Sequence, residues 1–156
     1  MEFDLVQPTL RRQWHLRRAG DVAAILHVPA FRRGATATVG AASWRIEGTA
    51  DCVVRDDRTG AELARLRTHR GRCMLEVGDH AAAWERRGNR AVAVDRSGVA
   101  LVHATLRPRL LRWSGTVRVR STLPDRGATA AALLACYVLI RATEQAAAAA
   151  AAAAAA

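Results

Sequence analysis

The chain has 156 residues and a formal charge of +10, with 24 basic and 14 acidic residues; every basic residue is arginine, and residues 146–156 are all alanine. About half of the chain is apolar, normal for a globular domain, so the 145 residues before the tail are expected to fold as one domain and not to stay disordered. Cys52, Cys73 and Cys136 form no CxxC pair and, being odd in number, no complete disulfide framework, which points to a reducing, cytoplasmic setting.

Residues 1–10 carry Glu2, Asp4 and Pro8 without a basic start or an apolar run, so no secretory signal is expected there and the segment reads as an N-terminal extension. From residue 11 the chain alternates apolar and polar positions in short runs separated by turn residues every 8 to 12 positions, the pattern of an all-β sandwich or barrel. Strands are predicted near 12–18, 21–28, 35–40, 42–48, 51–56, 61–68, 71–77, 81–87, 90–95, 99–106, 109–113 and 115–122, eleven or twelve in all depending on 109–113. Trp44 and Ile46 alternate with Arg45 and Glu47, and Val117 and Val119 with Arg118 and Arg120, which implies antiparallel strands with one apolar and one wet face.

Between strands, Asp57-Arg58-Thr59-Gly60 returns 38 residues later as Asp95-Arg96-Ser97-Gly98. Aspartate accepts backbone hydrogen bonds at the start of a turn and glycine supplies positive φ at its exit, so both stretches are predicted to be hairpin loops, with metal ligation as the alternative use of the aspartates. Arg18-Ala19-Gly20-Asp21, Gly78-Asp79 and Arg87-Gly88-Asn89 punctuate further hairpins.

After Leu123-Pro124 the pattern changes: Ala128 to Ile140 is apolar on every side and too long for one strand, and predicts a helix near 126–143 with Asp125 as its N-cap and Arg141 where the apolar run ends. Thirteen residues rise about 20 Å against a hydrocarbon core of about 30 Å, so protein burial is favoured over a membrane span. A helix inside a closed barrel, with a helix-to-sheet distance of about 10 to 11 Å and strands about 4.8 Å apart tilted by about 40°, needs ten or eleven strands. That agrees with the number predicted from the turns, and closure removes exposed edges. The predicted fold is therefore mainly β, a closed antiparallel barrel of about 12 strands around one hydrophobic C-terminal α-helix, formed by residues 11–145 as one domain. The tail 146–156 reads as a helical extension, a disordered end or a placeholder for unassigned residues.

This order of elements resembles the tubby-like superfamily, which includes LURP-one-related proteins and phospholipid scramblases. The resemblance is carried by Trp44-Arg45-Ile46-Glu47-Gly48, by the strand, turn and strand from Cys52 to Ala64, by its echo from Ala91 to Gly98, and by the helix from Ala128 to Ile140, and it spans most of residues 11–145. It implies a helix threaded through the barrel. For function it implies binding of phosphoinositide head groups, as in tubby proteins, or association with lipid movement and calcium, as for scramblases. It brings no catalytic motif, and Asp56 and Asp57 fall in a hairpin and not in an oxygen-rich loop of about 12 residues.

No Gly-x-Ser-x-Gly is present, and Ser43, Ser97, Ser114 and Ser121 lie in strand or turn contexts. His15, His27, His69, His80 and His103 are scattered, with His69 and Cys73 the one close His/Cys pair, so no zinc spacing emerges. There is no phosphate loop and no lysine to complete one. No catalytic residue, metal ligand or cofactor is nominated, and the protein is read as not an enzyme. Trp14, Trp44 and Trp84 have apolar neighbours at spacing two and read as core, leaving no base-stacking platform.

Arginine clusters are the positive feature, and Arg11, Arg12, Arg32, Arg33, Arg70, Arg72, Arg107 and Arg109 are the candidate anion-binding residues. On an antiparallel barrel such residues can converge on one rim, where guanidinium groups grip phosphate in bidentate fashion. The plainer reading is a solvated exterior coloured by a GC-rich coding sequence. The expected function is a binding or scaffold module, monomeric and cytoplasmic or peripheral at the membrane, docking on anionic phospholipid head groups. The alternatives are a tail-anchored membrane protein inserting residues 128–156, and an arginine-rich nucleic-acid binder, ranked below lipid.

Overall fold

Alternation of buried and exposed side chains runs through twelve strands: β1 (Glu2–Val6), β2 (Gln13–Arg18), β3 (Asp21–His27), β4 (Ala35–Val39), β5 (Ala42–Gly48), β6 (Cys52–Asp56), β7 (Glu62–His69), β8 (Arg72–Val77), β9 (His80–Arg87), β10 (Arg90–Val94), β11 (Ala100–Pro108) and β12 (Trp113–Val119), followed by α1 (Asp125–Ala154). The computed structural model describes residues 1–8, 12–30, 33–108 and 112–155. Each strand pairs antiparallel with its neighbour in sequence, and β1 pairs with both β2 and β12, so the sheet closes on itself. The closed barrel of twelve strands around one C-terminal helix is the architecture expected from the sequence.

The closing strand is not the expected one. Residues 1–10 were predicted to be an extension, yet Phe3 and Leu5, 1% and 2% exposed, face the core while Glu2 and Asp4 face water, and this short alternation makes Glu2–Val6 a wall strand. Glu2 pairs with Arg118 and Val6 with Ser114, and at the ends the Val119 N–H donates to the Met1 carbonyl (2.7 Å) and the Gln7 N–H to the Trp113 carbonyl (2.9 Å). Without β1, β2 and β12 would be open edges. Of the strand predicted at 109–113, residues 109–111 lie outside the described residues, and Trp113 instead opens β12.

Register shifts occur at Leu16/Arg17, Val54/Arg55 and Ala93/Val94. These irregularities fall four strands apart around the wall, and a bulge bends and further twists its strand, which is what closing a sheet requires.

The lumen is filled by α1, in which every residue from Gly127 to Tyr137, together with Leu139 and Ile140, is buried. Small residues let the wall come close: a Cβ on Gly127 would lie 3.0 Å from Val77 Cγ1. Pro124, in extended conformation, occupies the N-cap position without a side-chain cap bond, which corrects the assignment of Asp125. Asp125 is the first helical residue, where its charge complements the helix dipole and its carboxylate meets Arg18 Nη1 at 3.1 Å. The helix also runs past the predicted 143, through the exposed alanines to Ala154. By length and composition α1 could cross a membrane, but 72% of its most apolar stretch is buried in the barrel, and this burial disfavours the tail-anchored reading. Trp14, Trp44 and Trp84 are in the core, as expected.

Two polar groups on the buried stretch are satisfied. The Thr129 hydroxyl donates to the Asp125 carbonyl (2.9 Å), and the Tyr137 hydroxyl donates to the Gly48 carbonyl (2.9 Å) while accepting the Gly34 N–H (3.1 Å). Gly34 and Gly48 both sit at φ +91°, and a Cβ on either would strike backbone oxygen, Ile46 O at 2.5 Å or Asp51 O at 1.8 Å, so only glycine fits there. Tyr137→Phe leaves the Gly34 N–H unpaired and is expected to lower stability by about 1–3 kcal/mol in urea denaturation. Removing residues 126–156 is expected to abolish the cooperative transition seen by tryptophan fluorescence, whereas a truncated domain that stays folded would show that the helix is not its core.

Candidate functional site at the barrel crown

The topology gives the barrel two unlike ends. At the base, where α1 begins, lie the turns β2–β3, β4–β5, β6–β7, β8–β9 and β10–β11; at the crown, where α1 leaves, lie the other six connections between strands.

At the base, two aspartates close turns and hold arginines. Asp56 Oδ1 accepts the N–H groups of Arg58 (3.0 Å) and Thr59 (2.9 Å), and its Oδ2 accepts a short bond from Arg126, whose guanidinium also lies 5.7 Å from the centre of the Trp44 ring. Asp95 Oδ1 accepts the Ser97 N–H (2.9 Å), the Ser97 hydroxyl (2.6 Å) and the Val99 N–H (3.0 Å), and its Oδ2 accepts Arg120 Nη1 (2.9 Å). Both stretches are the hairpin loops expected from the sequence, but their alignment shifts by one: the counterpart of Asp95 is Asp56 and not Asp57, because the strands re-pair at Asp56–Ala61 in one loop and Asp95–Val99 in the other. Asp57 instead accepts the Ser43 hydroxyl (2.8 Å) and pairs with Arg45 (3.2 Å). With Arg18–Asp125 and Arg118–Glu2 (3.3 Å) beside them, most of the described base arginines stand in ion pairs.

The crown is different. Of the sequence-nominated residues, Arg12 belongs to the fold: it makes a short ion pair with Glu144 of α1, donates through Nε to the Val28 carbonyl (2.7 Å) and lies 5.9 Å from the Trp14 ring centre. Arg141 completes this knot, donating to Glu144 (3.2 Å) and to the Gly34 carbonyl (3.3 Å) over the Tyr137 ring. Arg12 is therefore engaged in pinning the helix.

Arg33, Arg70, Arg72 and Arg107 are exposed and have no ion pair among the described residues, while Arg11, Arg32 and Arg109 lie outside them. Arg33 borders a cleft of about 450 Å³ shared with Ala30, Thr49, Arg141 and Glu144. Arg90 and Arg112, exposed and likewise without a carboxylate partner among the described residues, were not nominated from the sequence. Tracing the alternation of hairpin ends around the meander would have placed them: β7–β8, β9–β10 and β11–β12 turn at the same end in succession, so Arg70, Arg72, Arg90, Arg107 and Arg112 share one arc of the crown. Of the crown carboxylates, Asp51 accepts the Thr68 N–H (2.7 Å), Glu144 pairs with Arg12 and Arg141, and Glu85 lies 3.8 Å from Arg87.

Among the described residues no group of three or more metal-ligating side chains occurs. The three cysteines are free; burial pushes the thiols of Cys52 and Cys136 up to about 11 and about 12, and that of Cys73 in the same direction, so none is held as a thiolate near neutral pH. Comparison with protein-family models, with curated proteins and with solved structures gave no match.

The base turns make stability depend on pH. The Thr59 backbone N–H is the main group holding the Asp56 carboxyl below its ordinary 3.8, helped by the Thr59 hydroxyl and Arg126; the Ser97 hydroxyl and then the Val99 N–H do the same for Asp95, helped by Arg120. A carboxyl depressed in the folded state stabilises fully above its unfolded value, and the contribution is lost as pH falls through the depressed value. Thermal midpoints measured from pH 6 to pH 2 are thus expected to fall below about pH 4. Asp56→Asn with Asp95→Asn, which keep an acceptor oxygen but no charge, should make that acid limb shallower.

Proposed function

We propose that this chain is a non-enzymatic binding or scaffold module of tubby-like type that docks crown-first on anionic phospholipid head groups. The observation that carries the reading is the segregation of its arginines. Carboxylates hold Arg18, Arg118, Arg120 and Arg126 around the helix start, while Arg70, Arg72, Arg90, Arg107 and Arg112 stand exposed on adjoining crown hairpins without carboxylate partners among the described residues. A basic arc on a rigid rim presents several guanidinium groups to a flat anionic surface at once, and each basic residue near such a surface contributes about 1 kcal/mol. The barrel with a helix in its lumen is the architecture that the tubby-like resemblance implies, which supports the family reading.

Sedimentation with vesicles tests it. The intact protein is expected to sediment with phosphatidylserine-containing vesicles and not with neutral ones at physiological salt. Arg70→Ala with Arg72→Ala should weaken binding about 30-fold, the loss of two such contributions, and Arg58→Ala with Arg96→Ala at the base should leave it unchanged. Equal loss from both pairs would reduce the arginine excess to general charge. Duplex DNA that displaces the vesicles, with affinity falling steeply with salt, would put nucleic acid in place of lipid.

A further inference from the structure

On the outer wall just below the crown arc, β9, β10 and β11 border an open, shallow hollow of about 310 Å³ lined by Glu85, Arg87, Arg90, Ala91, Val92 and His103. Arg87 and Arg90 are direct partners in the β9–β10 register, with only Gly88 and Asn89 between them. Like charges directly opposite one another on a sheet repel. One carboxylate offsets the pair weakly: Glu85 Oε2 lies 3.8 Å from Arg87 Nη2, with both side chains largely in water. Arg90 has no partner among the described residues.

Val92, half-buried, presents its side chain to the hollow, Ala91 beside it turns its side chain into the barrel core, and His103, the β11 partner of Val92, is exposed. The backbone beneath the pair is fixed. Asn89 donates through Nδ2 to the Leu106 carbonyl (2.6 Å) and its own carbonyl accepts the Leu106 N–H (2.8 Å), while Arg86 Nη1 donates to the Gly88 carbonyl (3.1 Å). The hairpin is held in place, and the two guanidinium groups at its sides have donors to spare.

The geometry points to a phosphomonoester site, in which one terminal phosphate sits between Arg87 and Arg90 and receives a further N–H from His103. Its volume is at the small end for ligand sites and suits a head-group-sized anion. Two guanidinium groups against one carboxylate favour a dianion over a monoanion, and a terminal phosphate offers three oxygens where a diester offers two. The inference deepens the docking reading by naming the head-group chemistry; the hollow itself is testable without a membrane.

Titration calorimetry with soluble glycerol 3-phosphate separates the two. The intact protein is expected to bind this monoester at least about tenfold more tightly than the diester glycerophosphoethanolamine, and to prefer phosphatidic acid vesicles over phosphatidylserine vesicles of equal surface charge. Arg90→Ala and His103→Ala should each weaken glycerol 3-phosphate binding, the first by about tenfold or more, and Arg90→Lys, which keeps the charge and loses the fork, should lose the preference for monoester over diester. Arg96→Ala should change nothing. Absence of glycerol 3-phosphate binding, equal affinity for the diester, or indifference to Arg90→Ala would overturn the site, even if vesicles still bind through the crown. Binding of glycerol 3-phosphate with no sedimentation on any vesicle would support the site and overturn membrane docking, leaving a soluble phosphomonoester as its ligand.

Discussion

A helix without a polar face imposes the rest of this structure. Its buried stretch from Gly127 to Ile140 must be enclosed on all sides, and among soluble arrangements a closed β wall does this while leaving no sheet edge exposed. The wall depends on the helix in turn, because the inward residues of twelve strands would otherwise face an empty lumen. Closure needs a partner for both β2 and β12, and β1 supplies it. The Tyr137 hydroxyl then fixes how far the helix rises, since it bonds the backbone of Gly34 and Gly48 at the crown.

Electrostatics divide the labour between the two ends. At the base, Asp56 and Asp95 each use one oxygen to shape a turn and the other to hold an arginine beside the helix start, Arg126 or Arg120. At the crown, the side where the helix emerges is tied by Arg12, Arg141 and Glu144. The opposite arc carries Arg70, Arg72, Arg90, Arg107 and Arg112 without such partners among the described residues. A net charge of +10 is thus unevenly spread, and its concentration at one rim gives the charge a direction.

Much of the fold was legible because a meander is local: each strand pairs with its neighbour, so alternation and turn residues nearly suffice to trace it. The misses have local causes. Glu2-Phe3-Asp4-Leu5-Val6 alternates, but five residues at a terminus are too few to separate from an extension when the partner, β12, lies more than a hundred residues away. The one-residue offset between the two aspartate loops was hidden because Asp56 and Asp57 are adjacent and either matches Asp95 as a letter. For the site, the arginine clusters were visible as runs, yet a run does not tell which members meet a carboxylate. Arg12 and Arg33 look alike in sequence, and only the position of Glu144 on the emerging helix makes the first a structural pin and leaves the second exposed.

The sequence by itself determined the strands β2 to β12, the all-apolar helix, and hence the need for a closed wall, because periodicity and burial are properties of short segments. It also set the arginine excess. Tertiary structure alone decided that β1 closes the barrel, that Tyr137 meets two glycines from different hairpins, and that Arg87, Arg90 and His103 border one hollow. Those relations depend on strand register and on which end of the barrel each turn occupies, and they join residues too far apart in the chain for any local pattern to encode.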